Sequence, residues 1–444
     1  MQNAVFELGP GATPDLSQQS QSNERKNDVR GNLVNSRLRW AAVTASLAFV
    51  AAGCSGSAIR GGEGEELSEG PVLLGLTTAL TGPYSEFGVP MKNSIDLAID
   101  EFNKSGACDR NVELIDYDDQ LVAETAQANM RRLLGEDNVH FIMSPAGSGP
   151  TLAVLPLVNA ENTVMMNTIA QTSTIVTPEG EDEPYPNIFS FSLGNIVEAE
   201  FMGGFLNENY KSMGLIAEST PYGETGLNEI ERVLEEGGTE VVGREGYDQG
   251  ATDVTAQLAR LKQANPDAIA MVGLGTDTAT IRQAMARLNM LDTPFVISNG
   301  AGTIPYQERA KDLVDGTFVV HYSAFPGSEP PEEPARNFAN MYKEEFGNDP
   351  YYGDGEWPVP SFGGTPASSY DATKVLLDAF AEAGCSTDSE SVIETIQSGD
   401  SFKGSRGQYQ FSESEHTAVT TDLLTMNEYL VGPDGSITYE PASN

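Results

Sequence analysis

From Pro71 to Gly300, short apolar runs alternate with amphipathic stretches. The run PVLLGLTTAL (71–80) predicts a strand. In the stretch that follows, 90–106, Met91, Ile95, Ala98, Ile99 and Phe102 share one helical face, and Gly106 supplies a stop. The alternation continues with strands at 111–119, 139–145 and 164–171 and helices at 123–138 and 149–162. It resumes with strands at 211–219, 239–248, 268–275 and 294–300, and helices at 223–238, 254–265 and 276–289. Regular β-α alternation predicts parallel sheets covered by helices on both faces. The units are too many for one sheet. The expected fold class is therefore α/β, with two doubly wound parallel-sheet lobes dividing near 188–201.

In open parallel sheets, ligands sit at the carboxyl ends of strands. The segments to inspect are those that follow strands: TALTGPYSEFG, SPAGSGPT, TIAQTST, ESTPYGETG, GLGTDTAT and SNGAGT. In the second of these, Ser148 stands between two glycines. It is not a nucleophile elbow, because Ala146 and Pro150 occupy the positions where G-x-S-x-G has glycines. No G-x-x-x-x-G-K-[ST] cradle exists, and GLGTDT at 273–278 lacks the third glycine of a dinucleotide fingerprint. A remaining role is gripping. A hydroxyl plus unpaired amides at a helix start hold a carboxylate, and Thr172 with Ser173 offers a second such turn. Ser148 and Thr172 read equally well as plain helix caps.

Charge narrows the partners. The chain carries 65 acidic and 25 basic residues, a net of -40. Nucleic acid is excluded as a partner, since binding a polyanion needs Lys and Arg to displace counterions. The acidity keeps the surface solvated, and it also fits work in high salt, where repulsion is screened within about 3 Å at 1 M. His140, His321 and His416 lie far apart without ligand spacing, so no metal is expected. The acidic run DYDD at 116–119 reads as a solvated strand end. No cofactor is expected.

Residues 37–54, RLRWAAVTASLAFVAAGC, place two arginines before an apolar run that ends in small residues and a cysteine. The run is short for a bilayer span and matches a secretory signal peptide. Its ending, VAAGC, resembles a lipobox, which makes Cys54 the lipidated N-terminus of the mature protein. Residues 1–54 are thus expected to be an N-terminal extension and lipoprotein signal peptide. Residues 55–70, small, polar and acidic, read as a flexible tether. Outside the cell, the other two cysteines, Cys108 and Cys385, either pair or stay free.

Four segments resemble one family: TALTGPYSEFGVPMKNSIDLAIDEFNKSG, NVELIDYDDQ, HFIMSPAGSGPTLAVLPLVNAENTVMMN and YGETG. They are similar to the solute-binding proteins of ABC importers for branched-chain amino acids, in the same order over roughly 71–440. The resemblance implies the type I periplasmic binding fold, whose two lobes join by three crossovers and close on a ligand. It implies that lobe 1 comprises 71–191 and 322–410, and lobe 2 comprises 192–321 and the C-terminal strands at 411–444. It further implies that Ser148 and Gly149, then Ala170, Gln171 and Thr172, hold the ligand's carboxylate and amine. The first-loop aromatic corresponds to Phe87, with Tyr84 nearby, and Tyr222 is the expected ring over the ligand.

Two departures stand out. Where aliphatic amino-acid binders carry an acid for the ligand amine, this chain has Asn299 and Gly300, which leaves a neighbouring acid such as Asp277 as the substitute. The segment 348–366 is long and aromatic. It reads either as a surface loop or as a lip bringing Trp357 or Phe362 to the cleft.

The implied function is an exported lipoprotein, anchored to the outer face of the cytoplasmic membrane. It captures a small amino acid, or a related amide or carboxylate, and passes it to an ABC permease with its ATPase. The protein is expected to be a monomer and not an enzyme. The alternatives are a ligand-sensing receptor of the same fold, and an exported hydrolase, for which no nucleophile–base motif is found.

Overall fold

The computed structural model describes residues 70–347, 349–398 and 401–442. The signal-like segment, Cys54 and the tether up to 69 lie outside the described residues. The first sheet runs in the order β2-β1-β3-β4-β5, all parallel. Its strands are β1 (Val72–Thr78), β2 (Val112–Asp118), β3 (Phe141–Met143), β4 (Met165–Asn167) and β5 (Ile188–Ser190). Helices α1 (Ser85–Ser105), α2 (Ala123–Gly135) and α3 (Ser148–Ala160) connect them. Val72, Leu74 and Leu76 are fully buried, and so are Phe141, Ile142 and Met143. Near-continuous apolar strands of this kind are what a parallel sheet covered on both faces requires.

The second sheet has the order β14-β13-β10-β9-β8-β6-β7. Its parallel part holds β6 (Ser212–Glu218), β7 (Glu240–Tyr247), β8 (Ala268–Val272), β9 (Phe295–Ile297) and β10 (Thr317–Tyr322). Strands β13 (Leu424–Val431) and β14 (Ile437–Pro441) add an antiparallel edge. This lobe carries α4 (Asn195–Asn209), α5 (Pro221–Gly237), α6 (Thr255–Ala264), α7 (Gly275–Arg287) and α8 (Ile304–Ala310). The chain then returns to the first lobe for α9 (Ala335–Phe346), α10 (Thr365–Glu382) and α11 (Ser389–Ile396). The hairpin of β11 (Phe402–Lys403) and β12 (Gln408–Tyr409) follows.

The chain crosses between the lobes three times, and the second and third crossings are hydrogen-bonded to each other. Gly194, at φ 73°, releases the chain from β5 into α4, a conformation that favours glycine. Ser323 beyond β10 donates from its amide to Leu423 O (2.9 Å) just before β13. Residues 411–419, assigned from the sequence to the second lobe, instead run along the first. Thr417 bridges Ser190 in parallel, Ala418 N donates to Ser190 O (2.8 Å), and His416 stacks on Phe189. The apolar residues Phe411 and Val419 find their buried partners there, and this moves the third crossing to about 420–423.

Helix α1 begins five residues before the expected Pro90 and runs through it. Its first turn presses against the end of β1. A Cβ on Gly88 would stand 2.0 Å from Ala79 O, so only glycine lets the two backbones meet. At the other end of α1, Cys108 forms a disulfide with Cys385, just past α10, with Cα atoms 6.0 Å apart. The pairing that the sequence left open is thus made. Helices α1 and α10 also share the ring contact of Phe102 with Phe380, 6.0 Å between centroids.

Candidate functional site

The two lobes meet around a cavity of about 240 Å³ at the carboxyl ends of their strands. Lobe 1 contributes the start of α3. Ser148 is the first residue of that helix, after Gly147 in an extended conformation. The first backbone bond of the turn is Thr151 N to Gly147 O (2.9 Å), and Pro150 has no N–H. The amides of Ser148 and Gly149 therefore precede the helical ladder, at its positive end. The Ser148 hydroxyl oxygen accepts from Gln171 N (3.2 Å) and Thr172 N (3.3 Å). It thereby ties the two expected turns together and keeps its own proton to donate.

Lobe 2 contributes Tyr222, in the first turn of α5. Its hydroxyl donates to Ser298 Oγ (3.0 Å) and its carbonyl accepts from Asn195 Nδ2 (3.1 Å). The ring is thereby fixed against the cavity, and burial pushes its hydroxyl well above the usual tyrosine pKa. Gly223 permits this placement. A Cβ there would lie 2.1 Å from Glu218 O and 2.8 Å from Glu218 Cγ, so Gly223→Ala must push α5 off β6. The expected cost is about 1–3 kcal/mol of stability, with ligand affinity weakened at least about tenfold because Tyr222 moves with the helix. Thermal melts and calorimetry on the variant measure both, and an unchanged affinity would show that α5 does not set the site.

Of the residues expected at the ligand, Phe87, Ser148, Gly149, Ala170, Gln171, Tyr222 and Asn299 line the cavity. Three others do not. Tyr84 is buried with its hydroxyl against Gly250 in the opposite lobe, where a Cβ would be 3.2 Å away. Thr172 turns its hydroxyl to Thr225 across the cleft (3.3 Å). Trp357 stays half-buried in the 348–366 segment and off the cavity wall. The aromatic residues of that segment pack inward instead. Tyr352 meets Phe362, and Phe362 packs on Phe325, Phe338 and Tyr342 in a satellite core. The end of the segment still reaches the cavity through Ser361, Gly364 and Thr365.

Asn299 is committed to the scaffold. Its amide donates to Glu198 Oε1 (2.6 Å) and its side chain to Val320 O (3.0 Å). Glu198 is buried, and burial pushes its carboxyl up to about 7. Gly300 faces Tyr222, and a Cβ there would be 3.0 Å from the Tyr222 hydroxyl, which leaves no room for an acid. Asp277 does not take its place on the wall; it is buried and accepts from Gly250 N (3.0 Å). The acid that lines the cavity is Glu218, at the end of β6. Its signal in the sequence is position: it is the last residue of a strand and the first of ESTPYGETG.

Hydrogen bonds cross the cleft. Thr303 Oγ1 donates to Glu86 Oε2, in addition to the Thr172–Thr225 contact. Glu86 is fully buried, and burial raises its carboxyl to about 7 against the pull of Thr303 and Arg309. The acidic run at 116–119 proves structural. Asp118 accepts from Leu80 N (2.9 Å), and Asp119, 1% exposed, accepts from Leu121 N (2.8 Å) and Thr77 Oγ1 (3.1 Å). Among the described residues no group of His, Cys, Asp and Glu could hold a metal, and no helix is long and apolar enough to cross a membrane.

Comparison with known proteins places this geometry. The periplasmic binding protein family profile matches residues 71–426. A type 1 periplasmic binding protein from Bordetella pertussis Tohama I is 40% identical, with a TM-score of 0.80 covering 84% of this chain and all of that one. The leucine-, isoleucine-, valine-, threonine- and alanine-binding protein of Pseudomonas aeruginosa is 24% identical over 360 residues, 80% of this chain and 90% of the relative. The branched-chain amino acid binding protein LivJ of Streptococcus pneumoniae, in complex with isoleucine, is 19% identical with a TM-score of 0.70. That match covers 84% of this chain and all of LivJ, and shows the shared fold.

Proposed function

The chain belongs to the periplasmic binding protein family, solute-binding proteins rather than enzymes, and from that premise we propose that it captures a small amino acid, or a related amide or carboxylate, between its lobes and delivers it to an ABC importer. The observation that carries this reading is the Ser148 turn. An O–H donor and two amides outside the helical ladder line an interlobe cavity, the arrangement that receives a carboxylate. The ligand is gripped from both lobes and stabilises the closed arrangement by its differential affinity. The Cys108–Cys385 bond suits an oxidising, extracytoplasmic setting. The names of the relatives support an amino-acid ligand. Lipidation at Cys54 would hold the protein, as a monomer, near its permease and ATPase and raise their effective concentration.

A thermal-shift screen against amino acids, amides and small carboxylates tests the reading, in high and low salt. A true ligand raises the melting temperature because it binds only the native state. Ser148→Ala is expected to weaken binding of that ligand about 10- to 100-fold, by deleting a buried donor and loosening the Gln171–Thr172 turn. A folded protein that no solute stabilises would overturn it.

A further inference from the structure

Glu86, in the first turn of α1, reaches out of lobe 1 into lobe 2. Its carboxyl enters a slot between Gly275, the first residue of α7, and Thr303, just before α8. A Cβ on Gly275 would stand 1.8 Å from Thr303 Oγ1 and 3.3 Å from Glu86 Oε2, so the glycine keeps the slot open. Thr303 Oγ1 donates to Glu86 Oε2, while Oε1 is buried without a hydrogen-bond partner. Just ahead of α1, the Tyr84 hydroxyl packs on Gly250 of lobe 2, where a Cβ would be 3.2 Å away. Glu86 is 4% exposed and does not line the ligand cavity, although its neighbours Phe87 and Thr303 do. The contact therefore exists only while the lobes are together, and it lies beside the ligand rather than on it.

We propose that Glu86 is a positioning residue for closure, a latch that docks its carboxyl into lobe 2 as the neutral acid, so that closing takes up a proton and the ligand is held more tightly as pH falls. This rests on the solute-binding reading above for its ligand, but closure itself can be followed without one. The geometry favours the neutral acid. An ionised carboxyl buried with one oxygen lacking a donor keeps much of its desolvation penalty. The single hydroxyl of Thr303 does not offset that. The Gly275 slot has room for the carboxyl and for nothing larger, so the contact is specific to residue 86 and to the closed arrangement.

The groups that face Glu86 do not reverse this. Burial is the largest influence and raises the carboxyl to about 7. Thr303, Arg309 of α8 and the Thr276 amide of α7 pull it down, and Asp277 of α7 pushes it up. Tyr84, and Tyr351 of the 348–366 segment, also feel its charge; burial keeps both hydroxyls neutral, and Glu308 of α8 faces Tyr351. With the lobes apart, Glu86 stands in water at a helix start and returns toward its ordinary value of 4.5. The closed form therefore holds the extra proton between about pH 4.5 and 7. Closure is favoured on the acid side of that window, weakens by up to about tenfold per pH unit across it, and levels above it.

Calorimetry with L-leucine, L-valine, L-threonine and L-alanine, at about pH 5 and about pH 7.5, tests this on wild type and on Glu86→Gln, whose amide copies the neutral acid. The ratio of the two affinities cancels the shares of Glu218 and Asp277, whose carboxyls burial also raises. Glu86→Gln is expected to bind tighter than wild type at the higher pH, and that advantage should shrink at least about tenfold at the lower one. A merely structural residue would change affinity by the same factor at both. Wild type should take up a proton on binding near pH 6, read in two buffers of different ionisation heat, and the variant should take up less. Should Glu86→Gln not fold, Gly275→Ala, which fills the slot from lobe 2, should remove at least about tenfold of the wild-type fall in affinity between the two pH values. A ratio that does not change with pH, or a Gly275→Ala profile like that of wild type, overturns the latch and leaves solute binding intact. If none of the four amino acids binds, X-ray scattering of the unliganded protein gives the answer. Wild type should contract on acidification and Glu86→Gln should not change. That result sustains the latch without the amino-acid reading, and a wild type that keeps its dimensions overturns it.

Discussion

Asp371→Ala is expected to lower the unfolding free energy by about 3–5 kcal/mol, read as a fall in the urea midpoint at constant slope. Asp371 and Arg406 form a buried ion pair, Nε to Oδ2 at 3.5 Å, with side chains 0% and 1% exposed. The aspartate also accepts from Ser405 N, Arg406 N and the Tyr409 hydroxyl. The guanidinium donates to Phe191 O (3.1 Å) and Gly363 O (3.4 Å), and lies 4.4 Å from the centroid of the Tyr322 ring. Phe191 begins the first crossing between the lobes, and Tyr322 ends β10 at the second and lines the cavity. Alanine at 371 would leave an unpaired charge under the hinge. The double variant Asp371→Ala with Arg406→Met should recover much of the loss, because it removes the orphaned charge as well. A single-variant loss below about 1 kcal/mol would mean that water reaches the guanidinium and compensates it.

Removing the disulfide, as Cys108→Ser with Cys385→Ser, is expected to cost about 3–5 kcal/mol. The bond closes a loop of sequence separation 277 that contains the parallel strands of lobe 2, β6 to β10. The penalty lifted from the unfolded chain is therefore near the upper end for one crosslink. Ligand affinity should change less than about threefold, since the bond joins helix ends of one lobe and neither cysteine lines the cavity. Melting with and without reductant, on wild type and on the variant, checks this. A variant as stable as wild type would show that the contacts between α1 and α10 suffice alone.

Much of the site was legible because strand ends in a parallel sheet converge. Phe87, Ser148, Gly149, Ala170, Gln171, Tyr222 and Asn299 all follow apolar runs, and all reach the cavity. The residues that stay off the cavity wall share a cause as well. Trp357 sits in an aromatic segment, and an aromatic run serves a cleft and a satellite core equally well. The packing of Tyr352 on Phe362, and of Phe362 on Phe338, decided for the core. Tyr84 and Thr172 were placed in the correct loops, but their side chains turn to partners in lobe 2, Gly250 and Thr225. Residues 411–419 follow lobe 1 because Phe411 and His416 pack on Phe189 there, a partner more than 200 residues away that no local pattern names.

Periodicity along the chain therefore determined the element order, the division into two parallel-sheet lobes and the loops that carry function, since each depends on local burial patterns of period 2 and 3.6. The tertiary structure alone decided which side chains in those loops face the cavity, that Cys108 meets Cys385, and that Glu86 reaches Thr303 across the cleft. Those outcomes depend on distances between residues far apart in sequence, and no pattern along one segment encodes what the opposite lobe places against it.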